Sequence, residues 1–110
     1  MENDTPFMIL WEYQVKSGCE SEFEEIYGAE GDWVRFFRLA AGYLGTELHR
    51  DVHNPTRYVT IDSWSYQAAY ETFCEQHLSE YHALDAQCEA LTERETHLGS
   101  FLCLGRPKLY

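Results

Sequence analysis

Residues 42–51 (GYLGTELHRD) and 57–64 (RYVTIDSW) read as two strands joined by a hairpin, and a helical pattern begins directly after Trp64. The second run alternates cleanly: Tyr58, Thr60, Asp62 and Trp64 point one way, Arg57, Val59, Ile61 and Ser63 the other. Between the runs, Asp51-Val52-His53-Asn54-Pro55-Thr56 is turn chemistry, because Pro55 cannot donate to a ladder and Asp51 and Asn54 favour local side-chain bonds. A hairpin followed by a helix implies an antiparallel sheet with helices on one face.

N-terminal to the hairpin, residues 7–16 form a first strand, with Phe7, Ile9, Trp11, Tyr13 and Val15 on one face. Ser17-Gly18 ends it. Residues 20–27 make a short amphipathic helix with Phe23, Ile26 and Tyr27 inward. Asp32 caps a further helical segment to Ala40, whose inward face is Trp33, Phe36, Phe37 and Ala40. After the hairpin, residues 66–77 are helical, with Ala69, Tyr70, Phe73 and His77 in one stripe that continues as Tyr81, Leu84, Cys88 and Leu91. A bend is expected near Leu78-Ser79. A last strand covers about 95–104. The order is β-α-β-β-α-β, a ferredoxin-like α+β unit with a four-stranded antiparallel sheet. A single domain is expected over 1–110, with a core of about 7–105 and short extensions at both ends.

Such a unit leaves one sheet face open. Alternation predicts that this face carries Leu44, Thr46, Leu48 and Arg50 from strand two, and Leu98, Ser100, Leu102 and Leu104 from strand four. A face this apolar favours pairing with a second copy, so a homodimer through the open sheet is expected.

The formal charge of −11, from 19 acidic and 8 basic residues, argues against nucleic acid and anionic membrane as partners. The acids are spread over helix faces, which suits solubility better than capture of a cationic ligand. The four cysteines contain no C-x-x-C pair, nothing resembles a signal peptide, and no stretch is long enough to span a bilayer. A reduced, cytoplasmic protein is expected. No nucleotide or flavin motif is present, and the histidine spacings do not make a helical metal site, so neither cofactor nor metal is expected.

A strand ending near Ser17-Gly18, a Glu- and aromatic-rich helix, Ala41-Gly42-Tyr43-Leu44-Gly45-Thr46-Glu47-Leu48, and Ile61-Asp62-Ser63-Trp64 before a helix with Gln67-Ala68-Ala69-Tyr70 together resemble the antibiotic biosynthesis monooxygenase-like proteins. The resemblance spans about Met8 to Phe101 and implies a dimeric α+β barrel with a pocket between sheet and helices. Members of that family oxidise aromatic polyketides without a cofactor, or degrade haem. Trp64 and Tyr70 match the family's pocket Trp and Tyr. The polyketide oxygenases carry an Asn where this chain has Thr60 and an Arg where it has Leu84. At the positions characteristic of the haem-degrading members stand Trp11 and Phe73, with His82 close to their ligand.

Among the residues themselves, His77 lies on the inward helix stripe and is the candidate general base, removing a phenolic or enolic proton. Tyr70 and Tyr81 are candidates to orient a ligand hydroxyl, and Trp64 to wall a ring. Trp11, with Trp33 and Phe37, completes the expected lining. His49 shares a strand face with Glu47 and Tyr43 and is a further candidate contact. The expected activity is a cofactor-independent monooxygenation of a small aromatic or polyketide-like molecule. The alternatives are a non-catalytic ligand-binding homodimer and a haem-binding protein.

Overall fold

A computed structural model describes residues 5–107. Four strands and four helices follow in the order β1 (Phe7–Val15), α1 (Glu20–Tyr27), α2 (Asp32–Phe37), β2 (Tyr43–Arg50), β3 (Arg57–Trp64), α3 (Gln67–Gln76), α4 (Leu78–Cys88) and β4 (Thr92–Leu102), with a 3-10 turn at Glu89–Leu91 before β4. The sheet is antiparallel with order β2-β3-β1-β4, so each half of the chain is a strand, two helices and a strand. This is the ferredoxin-like arrangement of a four-stranded sheet with helices on one face.

Aromatic side chains dominate the layer between sheet and helices. Phe23 stacks on Tyr27 with centroids 4.2 Å apart and also touches Tyr58, while Phe37 meets Trp64 edge-on at 5.4 Å. Phe23 and Trp64 are fully sequestered from solvent. Burying a large apolar side chain in this way contributes about 2–3 kcal/mol. The hairpin is fixed by Asp51, whose Oδ1 accepts from the backbone N–H groups of His53 and Asn54, and whose Oδ2 accepts from Arg57.

Two β-bulges alter the facing expected from simple alternation. In β2, Tyr43 pairs with Trp64 but the next paired residue is Gly45, opposite Ser63, so Leu44 is the extra residue. Gly45 takes φ +147°, a conformation that glycine reaches without a Cβ penalty. Directly opposed residues project to the same face, so Tyr43, Thr46, Leu48 and Arg50 turn toward the helices with Trp64, Asp62, Thr60 and Tyr58. Glu47 and His49 lie on the open face. In β4 a second bulge falls between His97 and Gly99, where φ is +155°. It sets Ser100 and Leu102 on the helix side, opposite Ile9 and Phe7, and Phe101 on the open side, opposite Met8. The apolar residues of the open face are therefore Met8, Leu10, Val59, Ile61 and Phe101, beside the polar Glu12, Glu47, His49 and Arg57, and not Leu48 and Leu102, which alternation places there with Thr46, Arg50 and Ser100.

The helix expected over 66–77 ends at Gln76. His77, with φ −125° and ψ 32°, is the joint between α3 and α4: its N–H donates to the Phe73 carbonyl, and its own carbonyl accepts from the Tyr81 N–H. The break falls one residue before the bend that the sequence suggests. No helix among the described residues is long and apolar enough to cross a membrane.

Candidate functional site

The inward faces of β1, β2 and β3, the start of β4, and helices α1, α2 and α4 enclose a cavity. Six aromatic rings form its walls: Trp11, Tyr13, Tyr27, Trp33, Phe37 and Tyr81. Thr46, Thr60, Asp62, Asp85 and Glu95 supply the polar lining. The cavity volume is about 30 Å3, room for about two water molecules, so it is a narrow slot. Tyr13, Tyr27, Phe37 and Thr60 are buried at its floor, while Glu95 is exposed at its rim.

Asp62 is the chemically distinctive group. Burial pushes its carboxyl up to about 6, against a smaller lowering by the hydrogen bond from Thr46. Thr46 Oγ1 donates to Asp62 Oδ1 at 2.6 Å and lies 2.5 Å from the Tyr43 hydroxyl. A threonine has a single hydroxyl hydrogen, which here is given to Asp62, so Tyr43 donates to Thr46. The β2 bulge makes this chain of bonds, because it turns Tyr43 and Thr46, three residues apart, to the same side. No Lys, Arg or His among the described residues lines the cavity, so its carboxylates face no cationic side chain there. Partial burial first, and then the charges of Asp85 and Glu89, raise the Glu95 carboxyl. Burial likewise holds the phenols of Tyr13, Tyr27 and Tyr81 well above the ordinary tyrosine value, Tyr81 at about 12. A carboxylate that titrates near neutrality, walled by neutral phenols and indoles, is equipped to accept a proton from a bound ring.

Trp11, Trp33, Phe37 and Tyr81 line this cavity. Trp64 does not: it is sealed between Phe37, Tyr43, Tyr70 and Phe73 in the core. Tyr70 packs on Trp64 and Phe7 outside the lining. His77, expected to face the pocket, does not line this cavity. Its ring lies against Phe73 at 4.4 Å and its Nδ1 is 3.2 Å from Glu80 Oε2, in a separate surface groove beside Ala40, Gly42 and Ala69. At the joint between two helices it stays against Phe73 and faces Phe36 edge-on, on a side that the cavity does not reach. His49 is paired with Glu47 at 2.9 Å on the open sheet face, away from the cavity, and Tyr43 is not beside it. His82 is on the exposed side of α4. Asp62, Asp85 and Glu95 line the cavity and are not singled out by the sequence reading. The signals were present in Asp62 on an inward stripe between Thr60 and Trp64 and in Asp85 four residues after Tyr81. Among the described residues, no group of three His, Cys, Asp or Glu side chains is arranged to hold a metal ion.

The fold recurs in solved structures. SnoaB, a cofactor-independent oxygenase from Streptomyces nogalater, was solved as a mutant that superposes with a TM-score of 0.77 at 20% identity, over 93% of this chain and 96% of that one. PA3566 from Pseudomonas aeruginosa gives 0.67 at 22% identity, over 96% and 100%. SO0527 from Shewanella oneidensis gives 0.65 at 17%, over 92% and 93%. No curated protein matches the sequence. Residues 6–87 match the family described as antibiotic biosynthesis monooxygenase, three-quarters of the chain. The chain belongs to the antibiotic biosynthesis monooxygenase family.

Proposed function

We propose that this protein is a cofactor-independent monooxygenase that takes a small hydroxylated aromatic, polyketide-like molecule into the aromatic cavity, with Asp62 as the proton acceptor. The observation that carries this reading is the Asp62 carboxyl, raised to about 6 among aromatic walls with no cationic side chain beside it. Family membership and the likeness to a cofactor-independent oxygenase support the reaction class.

In this reading Asp62 removes a proton from a ring methylene that a neighbouring aryl ketone acidifies. The phenols of Tyr13 and Tyr81 hydrogen-bond the ketone oxygen, where negative charge collects. The carbanion passes one electron to dioxygen, and the radical pair combines to a hydroperoxide. The hydroperoxide takes its proton from Asp62, which then removes the remaining C–H proton as the O–O bond breaks and passes it to the departing hydroxide, leaving a carbonyl and water. The balance is CH2 + O2 → C=O + H2O, with the methylene oxidised and dioxygen reduced. An oxygen electrode with 1,8-dihydroxyanthrone as substrate tests it: uptake above the uncatalysed rate is expected, with Asp62→Asn reducing kcat by about 10²- to 10⁴-fold. Full turnover by Asp62→Asn, or no enzymatic uptake with hydroxyanthrones, overturns it. The narrowness of the slot favours a second reading, a protein that binds a small ligand without transforming it, and absent oxygen uptake with measurable binding would select that one.

The protein acts as a homodimer through the open sheet face in this reading. Met8, Leu10, Val59, Ile61 and Phe101 form an apolar surface there, and Phe101 is 50% exposed in the single chain. Sedimentation should give twice the 12.9 kDa chain mass, reduced to one chain by Leu10→Lys with Phe101→Asp. A wild-type monomer at micromolar concentration overturns the pairing.

A further inference from the structure

We propose that Thr46 is a positioning residue for Asp62: its hydroxyl, held from behind by Tyr43, fixes Oδ1 and leaves Oδ2 to take the substrate proton. The inference rests on the reading of Asp62 as the base and adds what aims it. Thr46 stands directly opposite Asp62 in the register of β2 with β3, and its Oγ1 donates to Oδ1 at 2.6 Å. The bulge at Leu44 creates that register. Tyr43 faces Trp64, so an unbroken ladder would set Gly45, which has no side chain, opposite Asp62. The extra residue brings a hydroxyl there instead.

Hydrogen count gives the chain of bonds its direction. Tyr43, 2.5 Å from Thr46 Oγ1, gives its hydrogen to that oxygen, so the single Thr46 hydrogen stays on the Asp62 side. A proton on Oδ1 would meet the Thr46 hydrogen head-on, which makes Oδ2 the basic atom. Among the described residues Oδ2 has no protein donor. The Thr46 bond also favours the ionised carboxyl, against the rise that burial causes. The other titratable groups around Asp62 are Tyr13 on β1, Tyr27 on α1, Tyr43 on β2, Tyr81 and Asp85 on α4, and Glu95 on β4. From α2 come Trp33 and Phe37, and the Arg38 cation that follows them is paired with Glu30 and acts on Tyr43. All four phenols lie above the ordinary tyrosine value, so of these groups only carboxylates change charge between pH 5 and 8. Both β3 and β1 separate Thr46 on β2 from Glu95 on β4, so a change at Thr46 acts on Asp62 first.

The test reads Asp62 twice in the whole protein. One readout is the carbon-13 resonance of its carboxyl, identified by its loss in Asp62→Asn; the other is the pH dependence of kcat in oxygen uptake with 1,8-dihydroxyanthrone. Thr46→Val keeps the shape, suits a strand and removes the donor. Both midpoints should rise from about 6 by about one unit, which lowers the ionised fraction at pH 6 about fivefold. The kcat plateau at high pH should fall about tenfold as the carboxyl loses its aim. Thr46→Ser, which returns the hydroxyl, should restore both midpoints to within about 0.3 unit of wild type. Tyr43→Phe should raise them slightly, because Thr46 is then free to turn away. A lower plateau with unmoved midpoints is a packing effect and overturns the inference, as does a Thr46→Val rise no larger than that of Thr46→Ser, or a fall in Tyr43→Phe. Wild-type turnover with unmoved midpoints in Thr46→Val removes this inference alone. Absent oxygen uptake by the wild type removes the oxygenase reading and this inference together.

Discussion

Two hollows flank the helices of this protein, and they differ in kind. The inner cavity has six aromatic walls and three carboxylates, one of them raised to about 6. The outer groove, between the end of α2 and the face of α3, holds His77, the residue whose type and spacing point most directly to base chemistry. The larger recess carries the more familiar side chain, and in the narrower one burial raises the carboxyl of Asp62. What the difference teaches is that burial among aromatic rings brings an ordinary carboxyl near neutrality at a place where residue type alone points elsewhere.

That contrast is open to direct challenge. The largest effect should come from Asp62→Asn, which preserves an oxygen acceptor for Thr46 while removing the charge. Turnover should fall by about 10²- to 10⁴-fold, measured as oxygen uptake at saturating hydroxyanthrone. Next, Trp64→Ala should cost about 3–5 kcal/mol in denaturant unfolding, because it empties a fully buried position rather than a binding wall.

The third expectation concerns pH and has opposite signs for activity and stability. Asp62 titrates at about 6 when folded, against 3.8 for a free side chain, so the folded protein binds the extra proton between those values. Stability from the protonated carboxyl is complete below 3.8 and is lost as pH rises through 6. Activity should instead rise with pH through 6, as the base ionises. Asp62→Asn should therefore unfold about 3 kcal/mol harder than wild type at pH 7.5 while losing the ascending limb of the pH–rate profile. An unchanged stability would mean that Asp62 is better solvated than its surroundings imply.

The smallest effect should be that of His77→Ala. Loss of an exposed pair with Glu80 and of contact with Phe73 should cost about 1 kcal/mol by thermal unfolding, with turnover changed by less than about twofold. A His77→Ala protein that unfolds normally but is inactive would move the chemistry to the outer groove.

Much of the fold is legible in the residues. The strict alternation of β3, the turn chemistry of residues 51–56 and the helical stripes give element order, sheet type and the helix-covered face. Alternation fails at Leu44 and Leu98, because a bulge inserts one residue and inverts the facing of everything beyond it. Gly45 and Gly99 are the traces that such bulges leave in sequence, since their positive φ angles suit glycine. Of the cavity, the aromatic wall is legible at Trp11, Trp33, Phe37 and Tyr81. The acids are not, because Asp85 and Glu95 sit in a chain rich in acidic residues and nothing local distinguishes them from solvated ones. Asp62 is distinguished only by its place on a buried stripe, and His77 keeps its place beside Phe73 but on a side that the cavity does not reach.

The partition of the three tryptophans gives the protein a built-in optical reporter. Trp11 and Trp33 border the cavity, whereas Trp64 is locked in the core. A ligand that seats in the slot should quench or shift the emission of the first two and leave the third as an internal reference. Ligand occupancy and loss of the core can then be told apart in a single emission spectrum.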